Sequence, residues 1–222
     1  MLRIVDLSLE IYDKAPTFWP DPKTTVMPHL RIENMKYNIT QLIISSHIAT
    51  HIDAPFHFFD DGTTVDRVDL SKGFGQAFVL DFTHKGPKTE ITRFDLEAYS
   101  TIIKPGARII IHTNWDAVFP EDRYFTESPG LNPDACHFLA ERKITCLAMD
   151  MPTVYAPEFI DVHHALLRAE VLIVEGLAHL DDLKNDNVLF AALPLRIKGR
   201  DGSPCRAVAI EGLTEEQLQV FE

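Results

Sequence analysis

The sequence predicts an α/β fold, and three observations carry that expectation: short apolar runs recur along the chain, helical patterns lie between several of them, and one such helix displays its start signal. In chain order, the apolar runs place strands at residues 3–7, 38–44, 76–82, 108–112, 144–149, 171–175, 188–197 and 206–210. Residues 92–99 read as a helix ahead of the 108–112 strand. A second helix, 132–142, has Asn132 as its cap and Pro133 in the first turn, where the missing amide hydrogen is not needed. A short helix is expected in Asp161-Val162-His163-His164-Ala165-Leu166-Leu167, with Asp161 as N-cap. This alternation favours partly parallel strands. Residues 119–133 hold three prolines and several acidic side chains without periodicity, and read as a surface loop, a lid or an oligomer contact.

With 222 residues, 45% of them apolar, the chain can bury a sizeable core; lacking a linker or internal repeat, it reads as one domain over 1–222. No transmembrane run or signal-like amino terminus is visible, which sets a cytoplasmic expectation. The formal net charge of −12, with no basic stripe or polybasic tail, speaks against nucleic acid and anionic membranes and favours a small-molecule substrate. Cys136, Cys146 and Cys205 are odd in number and lack CxxC spacing, so they read as reduced, buried thiols rather than nucleophiles.

The densest chemistry lies in His47-Ile48-Ala49-Thr50-His51-Ile52-Asp53-Ala54-Pro55-Phe56-His57. Imidazole and carboxylate are the metal donors a chain can offer without cysteine, and four of them within eleven residues point to a metal site. The run continues the apolar 38–44 segment, so its donors are expected to emerge from buried backbone. There, unpaired imidazoles and a carboxylate are costly, and a bound cation removes the cost. His47 and His51 stand four apart, as two ligands on one helical turn would, but a zincin has glutamate after its first histidine and here that residue is Ile48. Were the run one extended strand, His47 and His57 would lie about 33 Å apart. The chain must bend inside the motif. Pro55 lacks an amide hydrogen and biases Ala54 toward extended geometry, so an irregular, buried, metal-organised turn is expected.

Further donors are to be sought at the ends of regular elements. His163 is one candidate, with His164 an equal competitor; Glu175 is another, closing the apolar run Val171-Leu172-Ile173-Val174 at the kind of strand edge where ligands gather in α/β sheets. The plain alternative for Glu175 is a solvated strand-end charge. Asp150 also ends an apolar run, and is either a site residue or the start of a turn before Pro152.

The run from His47 to His57 resembles the motif His-x-Gly-Thr-His-x-Asp-x-Pro-x-His of the cyclase-like metal-dependent hydrolases, which include bacterial kynurenine formamidase (arylformamidase) and isatin hydrolase. Ala49 stands in the glycine position; if that glycine serves a positive φ, Ala49 carries strain. The likeness continues in Val5-Asp6-Leu7-Ser8, in Trp19-Pro20, in His163 twelve residues before Glu175-Gly176-Leu177, and in a closing hairpin of Leu193-Pro194-Leu195-Arg196 with Gly202-Ser203-Pro204-Cys205-Arg206-Ala207-Val208. The resemblance implies a swivelling β/β/α fold with a mixed sheet and flanking helices. It implies two divalent metal ions, zinc or manganese, one held by His47, His51 and Asp53, the other by Asp53 and His163, with Glu175 contacting both. It makes His57 the proton donor and acceptor, puts Trp19 in the substrate pocket, and implies a homodimer or larger oligomer. The usual Trp-Pro-Gly-Asp reads Trp19-Pro20-Asp21-Pro22 here, so the pocket wall is expected to be rebuilt.

The chemistry that follows is hydrolysis of a small amide by metal-bound hydroxide, with His57 handing the proton to the departing nitrogen; an aryl formamide such as N-formylkynurenine, in tryptophan catabolism, is the nominal substrate. One rival keeps the site but opens a cyclic amide of the isatin type, an ester or a lactone. Another is a non-catalytic, metal-dependent small-ligand binding protein, which would close around one ion with four protein donors.

Overall fold

Four strands pair in parallel at the centre of the molecule, in the order Phe74–Asp81, Arg108–His112, Cys146–Met149, Leu172–Glu175. The structure, a computed structural model, describes residues 1–221. Ile109 and Ile111 pack under the helices while Ile110 between them faces the opposite core, so a strand covered on both sides is apolar at every position. Antiparallel strands extend the sheet at both ends. Asn187–Ala191, Val208–Glu211 and Arg3–Asp6 add on beside Phe74–Asp81; His51–Asp53 and Gly202–Pro204 add on beside Leu172–Glu175, which completes a nine-stranded mixed sheet. Helices Arg93–Glu97, Pro133–Glu141 and Phe159–Arg168 bury Leu96, Leu139 and Leu166 in the core of one face. Val5, Leu7, Ile52, Val174 and Phe190 fill the core of the other. The α/β class expected from the alternation of elements is the one observed.

Local chemistry explains where several elements start. Asn132 accepts a hydrogen bond from the Ala135 amide with Pro133 at the first helical position, and Thr92 with Asp95 forms a reciprocal capping box. Other expectations need correction. Phe159–Arg168 starts ahead of Asp161, because the single 3-10 turn Ala156–Glu158 runs straight into it; Asp161 sits in the first turn, where its charge still suits the helix dipole. The strand expected over 188–197 ends at Ala191: the Ala192 amide turns to the Gly73 carbonyl, and Pro194, having no donor, makes only an isolated bridge with Cys205. The apolar 38–44 run does form a strand, Ile39–Ile43, but it pairs with Thr25–Leu30 outside the main sheet and is exposed along its length. Residues 119–133 contain the helix Arg123–Thr126 and the strand Gly130–Leu131, with Tyr124 and Leu131 buried, so they are a wall of the molecule and not a surface loop.

Candidate metal centre

The motif bends at both ends and is straight in the middle. Ala49 takes φ 52°, the left-handed conformation its place in the motif anticipates. Thr50 locks this bend, its hydroxyl donating to the Gly176 carbonyl and accepting from the Leu9 amide. His51–Asp53 then runs as a fully buried strand, where an irregular turn was expected. It pairs with Leu172–Glu175 on one side and Gly202–Pro204 on the other, so its backbone groups are satisfied twice over and the chain has no reason to bend there. This register sets His51 opposite Glu175. One 3-10 turn, Pro55–His57, brings His57 back until its ring stacks on His47 at 4.0 Å. Helix Phe159–Arg168 delivers His163 into the interior with no exposure, while His164 faces out.

Ligand atoms of His51, Asp53 and Glu175 lie within 4.8 Å of one another, as do those of His47, Asp53 and His57; Asp53 belongs to both groups. His163 joins them, its Nε2 3.2 Å from Glu175 Oε1 and 3.6 Å from Asp53 Oδ2. The five side chains expected to hold metal therefore converge, with His57 beside them. Whether they suit divalent ions is decided by their protons. His51 Nδ1 lies 3.0 Å from the Ala49 carbonyl and His163 Nδ1 2.6 Å from that of Phe159, so each neutral ring keeps its hydrogen there and turns a bare Nε2 lone pair toward carboxylate oxygens. Lone pair against anion repels unless a proton or a cation lies between. Asp53 Oδ2, moreover, is buried without a hydrogen-bond partner. Imidazole nitrogens and shared carboxylates facing inward around an orphaned oxygen are a donor set for divalent cations.

The titration pattern describes the same centre filled with protons instead. Burial opposes charge on His163, but Asp53 and Glu175 outweigh it and raise the ring to about 10; His47, against Asp53 and Asp201, also reaches about 10. Asp53 is held well below the usual carboxylate range, its burial overcome by His47, His163 and His51. His57 goes the other way, lowered chiefly by burial.

These groups floor a cavity of about 620 Å³, counting its mouth, whose walls are Phe18, Phe119, Tyr124, Phe125 and Phe159. Phe18 stacks on Phe159 at 5.8 Å. Trp19, expected to line the pocket, is instead 87% exposed and borders a neighbouring surface groove; the pocket position belongs to Phe18. Asp150 is not a cavity residue either. It is fully buried, accepts hydrogen bonds from the Thr113 and Asn114 amides and the Thr113 hydroxyl, and is pushed up to about 6 by burial, which makes it the anchor of that turn. Sequence reasoning missed the aromatic wall, although Phe119, Tyr124 and Phe125 stood close together in the segment read as a loop. It also missed Asp201, whose Oδ2 lies 2.6 Å from His47 Nε2; its place just before Gly202-Ser203-Pro204 was the available signal. All three cysteines are free, and burial lifts the thiols of Cys146 and Cys205 to about 12, which leaves them inert at neutral pH.

The family described as Putative cyclase matches residues 5–155, more than half of the chain. The chain belongs to the cyclase family. Its relatives include the kynurenine formamidases of Geobacillus thermodenitrificans, 31% identical over 211 residues (91% of this chain, 95% of the relative), and Bacillus cereus strain ATCC 14579, 31% identical over 210 residues (92% and 95%). With such relatives, this chain is an enzyme of the hydrolase class. Similar solved structures include a potential metal-dependent hydrolase with cyclase activity, at TM-score 0.82 and 25% identity over 96% of this chain and 100% of that one. An isatin hydrolase bound to the product analogue thioisatinate superposes at TM-score 0.87 with 22% identity, over 96% and 93% of the two chains, and shares the fold. No helix among the described residues is long and apolar enough to cross a membrane.

Proposed function

We propose that this cyclase-family enzyme hydrolyses a small aromatic amide at a pair of divalent ions, zinc or manganese, held by His47, His51, Asp53, His163 and Glu175. The observation that carries the reading is the convergence of His47, His51, His163 and Glu175 on the buried Asp53 carboxylate, at the floor of an aromatic-walled cavity. The kynurenine formamidase relatives support the reaction class. Ions bound there supply Lewis acidity toward a carbonyl and make water acidic near neutral pH. The rest falls to the chain itself. Phe18, Phe125 and Phe159 offer flat apolar faces to an aryl group and exclude bulk water, which strengthens electrostatic stabilisation of the developing oxyanion. His57, kept neutral by burial, accepts a proton from the attacking water and returns it to the departing nitrogen.

An aryl formamide such as N-formylkynurenine is the first substrate reading, with a place in tryptophan catabolism. One observation favours a second, a cyclic amide of the isatin type or a related ester: no lysine or arginine lines the cavity among the described residues, so the α-carboxylate of N-formylkynurenine has neither of these to meet. The test is a hydrolysis screen of the zinc- or manganese-loaded protein against N-formylkynurenine, formyl anilides, isatin, lactones and cyclic imides. Turnover of formyl compounds supports the first reading; inert formyl compounds with an active ring compound transfer the conclusion to the second. No turnover together with a single, fully closed metal ion per chain would sink both and leave a ligand-binding protein.

The reading extends to setting. Three free cysteines fit the reducing cytoplasm. The exposed hairpin of Thr25–Leu30 and Ile39–Ile43 fits assembly of two or more copies, because an isolated two-stranded hairpin with Met27, Ile39, Leu42 and Ile43 in water gains little stability by itself.

A further inference from the structure

We infer that Asp201 is a positioning residue for the metal centre: its carboxylate holds the Nε2 hydrogen of His47 and thereby aims the Nδ1 lone pair of that ring at the ion beside Asp53. The inference rests on the metal reading above and adds a residue to it. His47 has a carboxylate at each ring nitrogen, Asp53 Oδ1 2.7 Å from Nδ1 and Asp201 Oδ2 2.6 Å from Nε2. A neutral imidazole carries one hydrogen, so only one of these contacts can be an N–H donating to oxygen. Asp53 decides which. The Oδ1 that faces His47 Nδ1 also lies 3.5 Å from His51 Nε2, and His163 Nε2 lies 3.6 Å from Oδ2, so three rings turn toward this one buried carboxylate; the Nδ1 side is therefore the cation side and the hydrogen belongs on Nε2.

Asp201 is built for this task from behind. Ser46 Oγ donates to the same Oδ2 at 2.8 Å, and the Ala54 amide donates to the Asp201 backbone carbonyl at 2.9 Å, so side chain and backbone are both held. The next residue, Gly202, pairs with Asp53 across the sheet. A Cβ on Gly202 would stand 2.8 Å from His47 Cε1 and 2.7 Å from the Ile52 carbonyl, so only glycine lets this edge strand bring Asp201 so near the ring. His57 stacks on the same ring. His51 and His163 have their outward nitrogens on backbone carbonyls, whereas His47 alone of the three is held by a side-chain anion. An anionic partner raises ligand basicity as well as fixing the tautomer.

The test is zinc titration of metal-free protein against a chromophoric chelator, for the wild type, Asp201→Ala and Asp201→Asn. In Asp201→Ala the affinity of one site is expected to fall about 10–100-fold, with the far-ultraviolet circular dichroism of the metal-free protein unchanged; Asp201→Asn, which keeps an acceptor oxygen without the charge, falls in between. Equal affinities in the three proteins would overturn the inference while leaving the metal reading intact, whereas a wild type that binds no zinc would overturn both. A second measurement needs no variant. In the zinc-loaded wild type, a nitrogen–proton correlation spectrum of the histidine rings is expected to show His47 carrying its hydrogen on Nε2, and a hydrogen on Nδ1 would refute the assignment.

Discussion

Ala49 holds a left-handed φ of 52° at the bend that delivers His47 and His51 from either side. For a residue with a Cβ this conformation costs about 1–2 kcal/mol. Ala49→Gly relieves that cost but loosens the unfolded chain by about 0.5–1 kcal/mol, so we expect a net gain of at most about 1.5 kcal/mol, read as a higher urea midpoint at constant slope; a lower midpoint would show that the Ala49 methyl packs usefully. His57 poses the sharper question, since its ligand atoms fall in one group with those of His47 and Asp53. We expect His57→Ala to keep its metal content and lose about 10²–10⁴-fold in kcat. Metal analysis beside turnover checks this: loss of metal would make His57 a ligand, and full activity would end its role in proton transfer. At this scale the sequence displayed the donors because chemistry fixes their identity and spacing. It could not say which of His163 and His164 faces inward, since on a helix that depends on the packed face.

Strand Val208–Glu211 shows how one buried carboxylate ties elements together. Glu211 accepts from the Lys184 and Asn185 amides and the Asn185 side chain, and it pairs with Arg3 on the neighbouring strand. Burial pushes its carboxyl up, but these donors outweigh it and hold it below its ordinary value of 4.5. The unfolded chain therefore binds more protons near and below pH 4.5, so the stability Glu211 contributes is fully present above that pH and is lost as pH falls through the folded value. Glu211→Gln is expected to be less stable than wild type at pH 7, with the difference shrinking below pH 4.5; parallel urea-denaturation curves at several pH values would check it, and a constant difference would exclude the linkage. Elements with their own local code, such as the capped helix Pro133–Glu141, were legible where they stand. The Ile39–Ile43 strand was legible as a strand but not as an exposed one, because an apolar run states what it avoids and not what covers it.

For the whole molecule, charge and hydrophobicity point to the same surface. Residues 25–43 contain one acid, Glu33, against Arg31 and Lys36, in a chain of net charge −12. The net negative charge is carried by the rest of the chain, whereas this hairpin joins low charge to exposed Leu42 and Ile43. We expect wild type to sediment as a dimer or larger species and Leu42→Asp, at a side chain already 56% exposed, to shift toward monomer while remaining folded; unchanged sedimentation would place the interface elsewhere. What the sequence by itself determined is the α/β class, the Asn132 cap and the group of histidines and carboxylates offered as metal donors, because each is written in residue type and short spacing. Tertiary structure alone decided that Glu175 lies opposite His51 in a strand pair, that Phe18 and not Trp19 enters the cavity, and that Asp201 reaches His47 across 154 positions of chain. Contacts of that kind come from sheet register and the closing of distant strands, which no local pattern encodes.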